Sequence, residues 1–155
     1  MTTAERLVGK LTEKGLTCAT AESCTGGGVG SAITAVPGSS AVFWGGVISY
    51  DNSVKRNVLG VPESVLATVG AVSQQCAAEM AQGVRRLLGT DLAVSITGIA
   101  GPDGGTAEKP VGLVWFGIAS ADGVKTEMMV FSGDRATIRA AAVEHALGLL
   151  IGGAE

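Results

Sequence analysis

Aromatic and basic residues are scarce in this chain of 155 residues. It contains three Phe, two Trp and one Tyr, and its 11 Lys and Arg are outnumbered by 14 Asp and Glu, so the net charge is −3. A nucleic-acid surface needs clustered cations and aromatic rings, and no such cluster occurs. We therefore expect no nucleic-acid partner. A small anionic ligand stays compatible with the sequence, because a few placed cations and backbone N–H groups can hold a phosphate.

Histidine and cysteine are nearly as rare. His145 is the only histidine, so multi-histidine metal sites are excluded, and any Ser-His-Asp or Cys-His site must use it. Cys18, Cys24 and Cys76 form an odd set without CxxC spacing, which argues against a disulfide framework and a structural zinc site. We expect no metal site.

Long apolar runs are absent as well. No stretch reaches the roughly 18 apolar residues of a membrane span, and the first residues carry charges every few positions. We expect a cytoplasmic protein with no membrane partner. The length predicts a single domain, residues 1–155, and a hydrophobic content of 46% suffices for a substantial core.

Hydrophobic periodicity and turn residues divide the chain into helices and strands. Helices are predicted over 3–14, over a small-residue segment ending at 34, and over 53–59, 64–69, 74–88 and 134–151. Strands are predicted over 16–21, 42–50, 92–97, 111–119 and 124–131. A hairpin turn at Asp122-Gly123 makes the sheet mixed. The expected fold class is α/β, a single-domain three-layer α/β/α sandwich with a mixed sheet.

Ser23 is the first residue that could carry chemistry. It follows a predicted buried strand and precedes a run of three glycines, so it would lie near the N-terminus of the next helix. Free N–H groups there can hold an oxyanion, and glycines allow a ligand to approach the backbone closely. The alternative is simple N-capping, which is the commonest role of a serine before a helix.

Two further segments are candidates with equally plain alternatives. The segment from Tyr50 to Lys55 is a strand end followed by a helix start, and its lysine would ordinarily be solvated. The glycine-rich loop over 97–105 would form either an anion-binding nest or merely a crowded turn. It matches neither a P-loop nor a dinucleotide fingerprint. We interpret His145 as a packed helical residue and Cys24 as a buried thiol.

Seven short motifs follow one another along the chain: TAESCTGG at 20–27, GSS at 38–40 followed by Phe43, VISY at 47–50 followed by Lys55, GAVS at 70–73, SITGIAGPDGG at 95–105, EKPVG at 108–112 and FSGDR at 131–135. Taken together and in this order, they resemble the CinA C-terminal domain family, the nicotinamide-nucleotide amidases. The resemblance covers nearly the whole chain, and the long glycine-loop motif is highly specific.

The resemblance implies a function and a set of site residues. The activity is hydrolysis of nicotinamide mononucleotide to nicotinate mononucleotide and ammonia, in pyridine-nucleotide recycling, with no cofactor and in a homo-oligomer, expected to be a dimer. Ser23 is the implied nucleophile, Lys55 its base and Tyr50 an assisting group. Substrate contacts are implied for Ser40, Thr97 and Gly98.

The residues themselves suggest how such a site would work. An amide is a poor electrophile, so the serine needs a base and an oxyanion hole. Lys55 must be neutral to act, and burial together with repulsion from Arg56 would lower its pKa. Backbone N–H groups near Thr25 and Gly26 are expected to hold the oxyanion. Arg135 and Arg139, at the start of the last helix, are the best-spaced cations for the substrate phosphate.

Two other functions stay open at this point. The glycine loops could belong to a non-catalytic nucleotide-binding module, which would not need Lys55 beside Ser23. A thiol hydrolase built from Cys24 and His145 is the second alternative, and it would be inactivated by alkylation of the thiol.

Overall fold

A computed structural model describes residues 1–155 and contains six helices and five strands. The elements are α1 Thr3–Lys14, β1 Cys18–Glu22, α2 Gly28–Thr34, β2 Phe43–Ile48, α3 Asn52–Asn57, α4 Glu63–Thr68, α5 Gln74–Leu88, β3 Leu92–Gly98, β4 Leu113–Ser120, β5 Gly123–Val130 and α6 Arg135–Gly153. Every element predicted from periodicity is present, with ends that differ by a few residues. No helix combines the length and the hydropathy that crossing a bilayer requires.

Local capping explains why the helix ends were predictable. Gly15 and Gly89 end α1 and α5 in the left-handed conformation, with φ of 65° and 69°, where a side chain would be strained. Ser73 caps α5 through a bond from Cys76 N–H, and Asp134 caps α6 through a bond from Thr137 N–H. These caps satisfy orphan amides of the first turn, so the chain enters each helix at a defined residue.

The sheet is mixed, in the order β2-β1-β3-β4-β5. β1 pairs in parallel with both β2 and β3, whereas β3-β4 and β4-β5 are antiparallel. A hairpin joins β4 to β5 as predicted, although its loop residues are Ala121 and Asp122, since Gly123 already pairs with Ser120. Because β1, β2 and β3 are parallel, their carboxyl ends meet at one edge of the sheet.

Helices cover both faces of the sheet, which confirms the three-layer sandwich. On one face, α1, α2 and α6 pack on large side chains that include Val94, Ile96 and Phe116. On the other face, α5 packs on Ala19, Ala21, Ala93 and Ala119. The alanine-lined face lets α5 lie close to the strands: Ser95 Oγ donates to Ala77 O at 2.6 Å, and a Cβ on Gly117 would lie 2.5 Å from the same oxygen.

Candidate active site

A cavity of about 210 Å³ lies at the edge where the parallel strands end. Its lining comes from the segments that follow β1 and β2, the segment before α5, the end of β3 with the loop after it, and the start of α6. The lining residues are Ser23, Cys24, Tyr50, Asn52, Lys55, Ala71, Val72, Thr97, Gly98, Ala100 and Arg135. In open sheets of this kind, ligands bind beyond the carboxyl ends of the strands. A larger groove, of about 500 Å³, lies between the β4-β5 hairpin and the end of α6. Neither Ser23 nor Lys55 lines it.

Ser23 and Lys55 contact each other in the lining of this cavity. Lys55 Nζ lies 3.1 Å from Ser23 Oγ, and the two side chains belong to β1's end and to α3. The lysine is 1% exposed, so the interpretation of a solvated surface lysine is wrong. Its Nζ also donates to the backbone oxygens of Ser49 at 2.6 Å and Tyr50 at 3.0 Å. The sequence did not indicate Ser49 as a site residue, because it contacts Lys55 only through its backbone carbonyl.

Burial lowers the pKa of the Lys55 ammonium below its ordinary value, since an apolar environment disfavours the charged form. The expected contribution of Arg56 is wrong. Its guanidinium points away and pairs with Glu63 at 2.6 Å on the surface, so repulsion from Arg56 is not among the causes of the shift. The carboxylate of Asp51 acts in the opposite direction and raises the pKa of Lys55 more weakly than burial lowers it.

The loop after Ser23 is held by an acidic side chain that was not among the predicted site residues. Glu22 is buried, and its carboxylate accepts bonds from Thr25 Oγ at 2.7 Å and from the N–H groups of Val29 and Gly30. A carboxylate at a helix N-terminus is favoured by the helix dipole, which was the available signal. Because α2 begins only at Gly28, Ser23 is not its N-cap, and the simple capping alternative is wrong.

The backbone amides of this loop divide into used and free donors. Gly26 N–H donates to Ser23 O at 3.1 Å and closes the turn, so this amide is already occupied, against our expectation. The N–H groups of Cys24 and Thr25 donate to no acceptor within the chain. Buried backbone donors are almost always paired, and both residues are buried. Two unpaired donors next to Ser23 are therefore suited to a ligand oxygen.

Tyr50 and Arg135 are among the predicted residues that line the cavity, and their side chains contact each other. Arg135 lines it, and its guanidinium donates to Gly101 O at 2.8 Å and to Tyr50 Oη at 3.3 Å. Tyr50 is 62% exposed. Its hydroxyl hydrogen-bonds Arg135 rather than Ser23 or Lys55, and only its carbonyl contacts the lysine.

Of the four other predicted residues, two line the cavity and two do not. Thr97 and Gly98 line the cavity, although Thr97 Oγ donates to Ala71 O. A Cβ on Gly98 would meet β4, so packing by itself requires glycine there. Ser40 is exposed on a short 3₁₀ turn and Arg139 faces the loop after Ser23; neither lines the cavity.

Cys24 and His145 lack the arrangement of a thiol hydrolase. Burial raises the pKa of the Cys24 thiol to about 11, so it is protonated at neutral pH and is a weak nucleophile. His145 packs against the ring of Phe116, with centroids 4.7 Å apart, and its Nε2 lies 3.2 Å from Glu127 Oε1. No three His, Cys, Asp or Glu side chains cluster closely enough to hold a metal ion.

Fold and cavity together define an α/β/α protein with a buried serine–lysine pair at the carboxyl edge of its parallel strands. The chain belongs to the CinA C-terminal domain family, whose model matches residues 1–152.

Individual relatives agree with this assignment. The chain is 54% identical over 138 residues to a protein of Enterobacter agglomerans named nicotinamide-nucleotide amidohydrolase PncC, and the match covers 88% of this chain and 84% of that protein. A CinA-like protein of Dictyoglomus turgidum is 49% identical over 146 residues, 94% of this chain. The chain spans only about a third of the length of that relative and of several others, 36% in this case.

Solved structures show the same fold. A competence/damage inducible protein from Agrobacterium tumefaciens superposes with a TM-score of 0.95 at 45% identity, covering 97% of this chain and 92% of that one. A CinA superfamily protein from Klebsiella pneumoniae gives a TM-score of 0.94 at 38% identity, covering 98% and 95%.

Proposed function

We propose that this chain hydrolyses the carboxamide of nicotinamide mononucleotide, producing nicotinate mononucleotide and ammonia. The observation that carries the proposal is the buried Lys55 Nζ, 3.1 Å from Ser23 Oγ. The name of the Enterobacter agglomerans relative, which matches over most of both chains, supports the choice of substrate.

The surroundings of Lys55 suit a neutral amine. A neutral amine has two N–H donors and one lone pair, and Nζ has two carbonyl neighbours and one hydroxyl neighbour. With the carbonyls of Ser49 and Tyr50 accepting the two N–H bonds, the lone pair faces Ser23 Oγ. Lys55 can then accept the hydroxyl proton of Ser23 as the serine attacks.

The reaction follows from these positions. Ser23 Oγ bonds to the carboxamide carbon while its proton moves to Lys55 Nζ. The free N–H groups of Cys24 and Thr25 stabilise the negative oxygen of the tetrahedral intermediate. Lys55 next gives the proton to the leaving nitrogen, the C–N bond breaks, and ammonia departs. Water then attacks the acyl-enzyme, passing its proton through Lys55 back to Ser23 Oγ.

The substrate phosphate is assigned to Arg135, because this cation lines the cavity and its guanidinium retains free donors. Tyr50 also lines the cavity and its exposed side chain accepts a hydrogen bond from Arg135, so we assign its hydroxyl a contact with the nucleotide. A direct role for Tyr50 in proton transfer, a homodimeric state, a cytoplasmic location and a part in pyridine-nucleotide recycling stay predictions.

Ammonia release from nicotinamide mononucleotide by the purified protein tests the proposal. We expect release to persist unchanged after exhaustive treatment with EDTA, because the chain itself supplies the nucleophile, the base and the oxyanion donors. A coupled glutamate dehydrogenase assay measures the ammonia. Tight nucleotide binding without ammonia release would contradict the proposal and favour a nucleotide-binding module.

Removal of the Cys24 thiol separates the serine mechanism from the thiol alternative. We expect Cys24→Ala to keep turnover within about threefold of wild type, since the mechanism uses only the backbone N–H of this residue. Steady-state ammonia release measures the effect. A loss of activity comparable to that of Ser23→Ala, in a variant with normal thermal unfolding, would instead assign the nucleophile to the thiol.

A further inference from the structure

Arg139 hydrogen-bonds the loop that contains the two free backbone N–H groups. Its Nε donates to Cys24 O at 3.0 Å and its Nη2 donates to Thr25 O at 3.2 Å. The two oxygens belong to consecutive peptides, so one planar guanidinium holds both of them at once. Arg139 is half-buried and does not line the cavity. The two donors that make these bonds are therefore directed at the protein backbone.

Because peptide groups are planar, these two hydrogen bonds also fix the direction of the backbone N–H group of Thr25. Both peptides are trans, and in a trans peptide the C=O and N–H groups point in opposite directions. Holding Cys24 O toward α6 therefore directs the Thr25 N–H away from α6. The other polar groups of Thr25 are occupied, since Oγ binds Glu22 and the carbonyl binds Arg139. The amide is thus the one polar group of this buried residue left without a partner.

The positive charge of Arg139 also favours the Thr25 N–H group as a hydrogen-bond donor. A cation that binds a carbonyl oxygen withdraws electron density from the peptide and makes its N–H a stronger donor. The guanidinium contacts the Cys24 carbonyl, whose peptide contains the Thr25 N–H, and it is only partly screened by water. The same contact fixes the peptide plane, so the amide needs no reorganisation when negative charge develops.

We propose that Arg139 is a positioning residue that holds and polarises the Thr25 amide as an oxyanion donor. This replaces its expected role in binding the substrate phosphate, and it rests on the proposed function in taking Ser23 as the nucleophile. The two roles differ in their kinetics. A phosphate contact is made equally in ground and transition states and affects KM, whereas an oriented oxyanion donor affects kcat.

Arg139→Gln provides the test, with Arg139→Lys as the conservative variant and the exposed Arg86→Gln as a control of equal charge change. Substrates are nicotinamide mononucleotide and the corresponding nucleoside, which lacks the phosphate. A fluorophosphonate probe of Ser23 gives a second readout, because its phosphoryl oxygen occupies an oxyanion hole without any nucleotide. Thermal unfolding reports whether each variant is folded.

We expect Arg139→Gln to lower kcat about 100-fold for the mononucleotide, with KM changed less than about threefold, in line with a misplaced oxyanion donor. The nucleoside and the fluorophosphonate should lose rate by a similar factor. Arg139→Lys should be intermediate, because an ammonium does not reproduce the two-pronged contact. Arg86→Gln should match wild type.

Several results would overturn the inference. Wild-type kcat and labelling rate in Arg139→Gln would do so, and so would an effect confined to the KM of the phosphorylated substrate. Wild-type Ser23 that fails to react with the probe would overturn it together with the assignment of the nucleophile. A wild-type chain that is labelled but releases no ammonia removes only the proposed substrate. The labelling rates of the variants then decide the role of Arg139.

Discussion

Ser23→Ala is expected to lower ammonia release from nicotinamide mononucleotide by at least about 10⁴-fold, because removing a nucleophile abolishes the covalent route. The substitution deletes one oxygen whose hydrogen-bond partner is Lys55 Nζ. The lysine keeps its two carbonyl partners, so the fold should survive with a loss of about 1 kcal/mol in the free energy of unfolding. Steady-state ammonia release and thermal unfolding measure the two effects.

Ser31→Ala is the matched control for this variant. Ser31 lies on α2, is exposed, and its hydroxyl makes no hydrogen bond, so its removal should leave activity unchanged. Mass spectrometry of a rapidly quenched reaction provides a complementary measurement, in which a nicotinoyl adduct should appear on wild-type Ser23 alone. If a folded Ser23→Ala variant released ammonia at the wild-type rate, Ser23 would not be the nucleophile.

Lys55→Met is expected to lower kcat/KM by about 10³- to 10⁴-fold, the contribution of a positioned general base. Methionine fills a similar volume without a proton-accepting group, and it leaves Ser23 in place. Lys125→Met is the control, because Lys125 is exposed on β5 and does not line the cavity. Retention of near-wild-type kcat/KM in Lys55→Met would show that another group accepts the serine proton.

The pH profile of the wild type supplies an independent check on the same residue. Burial lowers the pKa of Lys55 below the ordinary 10.5, and only the neutral amine can accept a proton. kcat/KM should therefore rise with pH along a single-proton limb and reach its plateau below pH 10.5. A profile that continues to rise through 10.5 would contradict a lowered pKa.

The lowered pKa of Lys55 should also make the free energy of unfolding depend on pH. Between the lowered pKa of Lys55 and 10.5, the unfolded chain binds more protons than the folded chain, so the free energy of unfolding should rise with pH in that window. Above 10.5 this lysine is neutral in both states and its penalty on folding vanishes. Chemical unfolding across the window should show this dependence in wild type and not in Lys55→Met.

The helices, the strands and their ends were predictable because the forces that set them act over a few residues. Ser73 contacts an amide three residues away, and Gly89 ends a helix through its own backbone conformation. Alternation and apolar runs likewise identified each strand. The family motifs then indicated that Ser23, Tyr50 and Lys55 belong to one site. Spacing alone was also compatible with a helix cap at Ser23 and a solvated turn from Tyr50 to Lys55.

The pairing of Ser23 with Lys55 across 32 positions depends instead on strand order. β2 lies beside β1 and parallel to it, so Ser49 N–H reaches Glu22 O at 2.7 Å, and the turn into α3 folds Lys55 beneath Ser23. The same applies to Arg139, which meets Cys24 and Thr25 from 115 and 114 positions away. The sequence by itself therefore determined the elements, their caps and the family. The tertiary structure decided which lysine is buried, which amides stay free and which arginine faces the loop, because burial and hydrogen bonding depend on elements that only packing brings together.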